Sequence, residues 1–201
     1  MAASPPLELG IVPIDMDEVR ELYEALDRPM FTGPYNLNLW AIRERERVDD
    51  WNDVIGCAWQ DARREWHIEA WQATTDPGAY YLQAPMRAAG TAILAPGWHP
   101  RAWQAGLHKG AYPCLVQAGP LRVYRDANLD AHLDYVGQAT PSMSALQIHH
   151  GGGSLRVGKW SAGCQVIRWP AALARLMALV RRQVEAGHGS TVSYALFEEM
   201  P

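Results

Sequence analysis

"IHHGGGSLRVGKWSAGCQVI", residues 148–167, sets two adjacent histidines, three consecutive glycines and a cysteine after Ser-Ala-Gly inside one short stretch. The apolar runs at its ends, "ALQIHH" (145–150) and "CQVIRW" (164–169), read as two strands joined by a Gly-rich loop. Three readings compete: a mobile surface loop ending in a core cysteine, a metal site, and a thiol nucleophile with its base. Gly163 favours the third, because a glycine before Cys164 lets the backbone turn sharply. Consecutive amides of Ala162, Gly163 and Cys164 then converge beside the sulfur as an oxyanion hole, so their side chains matter little. Only one of His149 and His150 can share the sulfur's face, since neighbours on a strand point to opposite sides.

The same divergence argues against zinc on His149, His150, Cys164 and His108, and no His-x₃-His or Cys-x-x-Cys pair supports it. "DANLD" (126–130) opens like a calcium loop, but Ala131 stands where the invariant glycine belongs and Gly137 where the bidentate glutamate belongs. "HHGGGSLRVGK" lacks the phosphate-cradle spacing. Neither a metal nor a cofactor is expected.

Downstream, "PAALARLMALVRRQVEAGHG" (170–189) is the strongest helix, with Pro170 suited to its first turn and Gly187 or Gly189 ending it. "STVSYALFEEM" follows as a strand. Upstream, 90–130 breaks into short apolar runs punctuated by Pro and Gly, the rhythm of antiparallel β-structure. "ATTDPGAYYL" (73–82) reads as a turn feeding a strand. The Trp-rich stretch 51–72 reads as further strands, with a helical segment near 60–66 as an alternative. "LNLWAIRERE" alternates Leu37, Leu39 and Ala41 inward as a half-buried strand. "DMDEVRELYEALDR" (15–28) puts Val19, Leu22, Tyr23 and Leu26 on one face of a short helix, after an extended Pro-containing lead over 1–13. The class is α+β: a mostly antiparallel sandwich or barrel with a C-terminal helix–strand unit and a short N-terminal helix. Residues 1–35 form an extension and 36–201 a single domain.

The 201 residues carry a net charge of −4, which supplies no basic footprint for nucleic acid. Three cysteines without paired spacing fit free thiols, with Cys57 and Cys114 as small core residues. No apolar window is long enough to span a membrane. The N-terminus lacks the basic and apolar regions of a signal peptide.

With strand–His–loop–Ser-x-Gly-Cys–strand–helix–strand assembled, the C-terminal half resembles the L,D-transpeptidase catalytic domain, the YkuD family. "IHH" (148–150) stands where that family has Ile-His-Gly, and "SAGC" (161–164) where it has Ser-His-Gly-Cys. "ATTDPG" (73–78) is similar to its Thr-Pro-x-Gly hairpin. Ala162 replaces the usual histidine, the loop is shorter, and Val166 stands where Arg or Asn is common. The resemblance is specific over about 140–198 and absent over 1–35. It implies a YkuD-type fold, Cys164 as nucleophile and His149 as general base, oriented by a main-chain carbonyl. His150, Ser161, Trp160 and Arg168 are implied as substrate-binding or supporting residues. The implied reaction is acyl transfer on peptidoglycan stem peptides through a thioester, to water or to an amine. A phage lysis protein or secreted antibacterial effector, made in the cytoplasm and delivered to the cell wall by other means with a delivery or immunity partner, is the expected setting. A silent YkuD-like binding module is the alternative. A Cys164 thiol ionised near neutral pH is expected of the enzyme.

Overall fold

The computed structural model describes residues 9–198. Eight strands close into a barrel: β1 (Asn38–Arg43), β2 (Asp53–Gln60), β3 (Trp66–Thr74), β5 (Gly97–His108), β6 (Tyr112–Gln117), β9 (Gln147–His150), β10 (Gln165–Ile167) and β11 (Thr191–Glu198). Around the barrel they run β1-β11-β5-β6-β9-β10-β3-β2. A separate sheet is built from β4 (Thr91–Leu94), β7 (Leu121–Asp126) and β8 (Thr140–Ser142), in the order β4-β7-β8. Three helices complete the described residues: α1 (Met16–Ala25), α2 (Ala79–Gln83) and α3 (Pro170–Glu185). The α+β class therefore holds, and the barrel is mixed. β1 pairs with β11, and β9 with β10, in parallel.

Leu37, Leu39 and Ala41 do face the main core, as the alternation predicts. The other face of β1 is not solvated. Trp40 is fully buried there, with Val19 and Tyr23 of α1 and with Ala58, Ala70, Ala195 and Phe197. Asp15 starts α1 with a capping box, accepting from the Asp17 and Glu18 amides while Glu18 returns a bond to the Asp15 amide. The indole of Trp40 lies where a Cβ on Gly56 would sit, 2.1 Å from its nearest atom, so only glycine admits it.

One local expectation changes, and one alternative falls away. The stretch 73–82 ends in helix α2, not in a strand. Residues 61–64 form the tight link between β2 and β3, because the Asp61 carboxylate accepts from the Arg63 and Glu65 amides at 2.8 and 3.0 Å and holds a turn there. Helix α3 runs to Glu185 with Ala186 as its C-cap, and Gly187 ends it as expected, since no helix continues through its φ of +84°. Its apolar face, Leu173, Leu176, Leu179 and Val180, joins the main core with Leu115, Ile148 and Ile167. Residues 1–8 of the expected lead lie outside the described residues.

Candidate active site

The parallel register aligns Val166 with His149 and Ile167 with His150. Paired residues in a parallel ladder share a face, and Cys164 lies two residues before Val166, so its side chain belongs to the His149 face. His150 belongs to the other. There it stacks on Tyr112, ring centroids 4.1 Å apart, and lines a separate groove along α3. Its Nδ1 accepts from the Gly152 amide at 3.2 Å, so His150 supports the loop and does not face the sulfur.

His149 is nearly fully buried. Its Nδ1–H donates to the main-chain carbonyl of His150 at 3.0 Å, which leaves Nε2 as the basic nitrogen. The ring of His108 packs against it at 4.4 Å between centroids, and His108 Nδ1–H donates to Gln147 Oε1 at 2.5 Å. Burial, the largest influence, pushes the His149 imidazole down to about 4.

Cys164 closes a turn fixed by Ser161. The Ser161 hydroxyl donates to the Cys164 carbonyl at 2.8 Å and accepts from the Gly163 amide at 3.2 Å. That second bond corrects one expectation: the Gly163 N–H is already engaged by Ser161, so of the three amides expected to converge here only those of Ala162 and Cys164 remain as candidates. Gly163 has φ of +112°, and a Cβ there would sit 2.3 Å from the Ala92 carbonyl oxygen. The turn thus presses on β4, and only glycine fits. The partly buried Cys164 thiol is pushed up to about 11 by burial, although the Gln147 main-chain N–H and Lys109 both favour its thiolate. A thiol ionised near neutrality, as the sequence led us to expect, is therefore not what this environment produces. Cys57 and Cys114 are fully buried in the core.

His149, Ala162 and Cys164 open into one cleft of about 420 Å³. A second limb of about 470 Å³ continues past His149 along the loop over 154–160. Trp160, 38% exposed, stands in the wall of both. The Gly-rich loop is anchored rather than loose. Asp49 Oδ1 accepts from the Gly158 amide at 2.6 Å and from the Ala79 amide of α2 at 3.2 Å, and Val157 is buried against Trp51 and Val166. Arg168 belongs to this anchoring and not to the cleft: its Nε–H donates to the Ser154 carbonyl at 3.1 Å and its Nη1 to Gln72 Oε1 at 2.9 Å.

Sequence reasoning missed two groups. One is the far wall of the cleft, including Thr91, Ala92 and Arg125 of the small sheet. The other is a polar cluster centred on Arg43, which is completely buried. Arg43 donates to Thr75 Oγ1 at 2.9 Å, to the Leu94 carbonyl at 2.9 Å and to the Tyr135 hydroxyl at 2.7 Å, and its Nε lies 2.7 Å from Asp76 Oδ1. Burial opposes its charge, but Asp76 beside it keeps the guanidinium protonated. The Thr75 carbonyl also accepts from Gln165 Nε2 at 3.1 Å, so the cluster braces β10 one residue beyond Cys164. Arg43 ends β1 and "TTDPG" follows β3, so no local pattern in the sequence joins them. No family model, curated protein or solved structure matches this chain.

Proposed function

We propose that the protein is a cysteine acyltransferase of L,D-transpeptidase type, acting on peptidoglycan stem peptides through a Cys164 thioester, and that its barrel is a divergent YkuD fold. One observation carries this reading: the parallel β9–β10 register sets His149 and Cys164 on one face at the wall of one cleft, with His149 oriented by a main-chain carbonyl. Both groups are neutral at rest. His149 Nε2 takes the thiol proton as the sulfur attacks the acyl carbonyl, and the resulting oxyanion meets the amides of Ala162 and Cys164. The imidazolium then returns the proton to the leaving amine. Water or an acceptor amine resolves the thioester by the same route in reverse.

The second reading, a silent module that binds cell wall, draws on the raised pKa of Cys164. Incubation with purified sacculi, followed by mass analysis of muropeptides, separates the two. Wild-type protein is expected to release or crosslink stem peptides, and Cys164→Ala, folded as judged by circular dichroism, to do neither. Equal product from both proteins would overturn the assignment of Cys164.

A further inference from the structure

The cleft beside Cys164 is lined by Arg87, Lys109, Arg125 and Lys159 and by no Asp or Glu. The chain is net negative and contains only two lysines, and both are here. None of the ion pairs among the described residues uses any of these four side chains. Lys159 rests over the Tyr80 ring, 4.2 Å from its centroid.

Arg125 is the most constrained of the four. Its guanidinium donates to the Gly90 carbonyl at 3.3 Å and to the hydroxyls of Ser142 and Ser144 at 2.9 and 2.6 Å. All three acceptors are neutral, and two of its five N–H donors have no acceptor among the described residues. Asp126 does not serve it, because the next residue on a strand points to the opposite face, where its Oδ2 accepts from the Asp134 amide at 3.1 Å. Burial and the nearby charge of Arg87 both work against the Arg125 charge. A partly buried guanidinium normally meets a carboxylate. Here the protein supplies serines in place of a counter-ion, lets the group line the cleft, and sets Arg87 near it, with two lysines lining the same cleft.

We infer that this cleft recognises its acyl donor by a free carboxylate, with Arg125 as the anchor and Arg87 beside it. The inference rests on the proposed acyl transfer at Cys164, and it names what the substrate must carry: an anionic stem peptide, not an amidated one. Lys109 and Lys159 raise the local concentration of such peptides at the mouth.

The test separates binding from turnover. Cys164→Ala protein is titrated calorimetrically with L-Ala-γ-D-Glu-L-Lys-D-Ala and with the same tetrapeptide having both carboxylates converted to carboxamides. The free peptide is expected to bind roughly 10- to 100-fold more tightly, the range of one charge-assisted hydrogen bond. The gap should shrink at high salt. Arg125→Gln in the same background should erase most of it while leaving the amidated peptide's affinity unchanged. Should Arg125→Gln misfold, Arg87→Gln, at an exposed position, is expected to reduce the gap by itself. Equal affinity of the two peptides would overturn the inference, and so would tighter binding of inorganic phosphate than of the free peptide. Turnover by unmutated protein is read independently. A carboxylate preference without any turnover refutes acyl transfer and keeps the anion site, whereas turnover without preference does the reverse.

Discussion

A thiol at about 11 beside an imidazole at about 4 keeps its proton in the resting protein. The thiolate is thus a minor form at pH 7. Alkylation by iodoacetamide is therefore expected to be slow at neutrality and to rise about tenfold per pH unit up to about 11, read by peptide mapping of the native protein. Fast labelling at pH 7 would show that an ion pair already exists. Lowering the pH acts on the base instead: His149 is neutral above its pKa, so kcat/KM should hold level from neutrality to about pH 5 and fall as pH drops through about 4. The two histidines separate by face. His149→Ala should lower turnover roughly 10²–10⁴-fold, the usual range for a lost general base. His150→Ala should do far less, since it removes a stack on Tyr112 and an acceptor for Gly152. The reverse ranking would place the base on the α3 side of β9. Alternation alone poses this choice without making it, since it says only that the two histidines differ in face, and the resemblance named His149. The register against β10 pairs His149 with Val166, two residues past Cys164, and His150 with Ile167.

Elements explain the glycines. The run Gly151-Gly152-Gly153 looks like flexible loop chemistry, yet each position is a seat for an indole: Trp51, Trp160 and Trp169 lie within 2.2, 3.1 and 2.6 Å of where a Cβ would be. Gly10 receives Trp169, and Gly56 receives Trp40, in the same way. The abundance of tryptophan and the placing of glycine are thus one feature, large flat rings packed directly on backbone. Gly163 is held by backbone instead. Gly163→Ala sets a Cβ against the Ala92 carbonyl at a left-handed φ, and should cost on the order of 2 kcal/mol or more in urea unfolding. It should also abolish turnover, because relief of the clash moves the Cys164 turn. Wild-type activity in that variant would show that the turn's contact with β4 is dispensable. Helix α1, helix α3 and most strands were legible because their periodicity is local. Helix α2 was not. Five residues carry too little periodicity, and its Gly78 start makes no side-chain cap.

For the whole molecule, what escaped the sequence is long-range by nature. Parallel and antiparallel strands have the same local pattern, so the β1–β11 and β9–β10 pairings left no mark in either segment. The cleft draws on α2, the small sheet, the β5–β6 turn, β9 and the turn before β10, and the Arg43 cluster joins residues up to Glu198. The β1–β11 pairing has a mechanical meaning as well. Leu39 aligns with Tyr194, and the far edge of β11 pairs with β5, so this one strand closes the barrel between them. Without it, β1 and β5 present two unsatisfied edges, a template for joining other chains. A version ending after residue 189 should therefore sediment as aggregate, while the full chain stays in solution. A soluble, monomeric truncate would show that the remaining strands close without it. The cleft is thereby tied to a single latch: a protease cut in the link ahead of Thr191 would spoil the cleft wall without touching it.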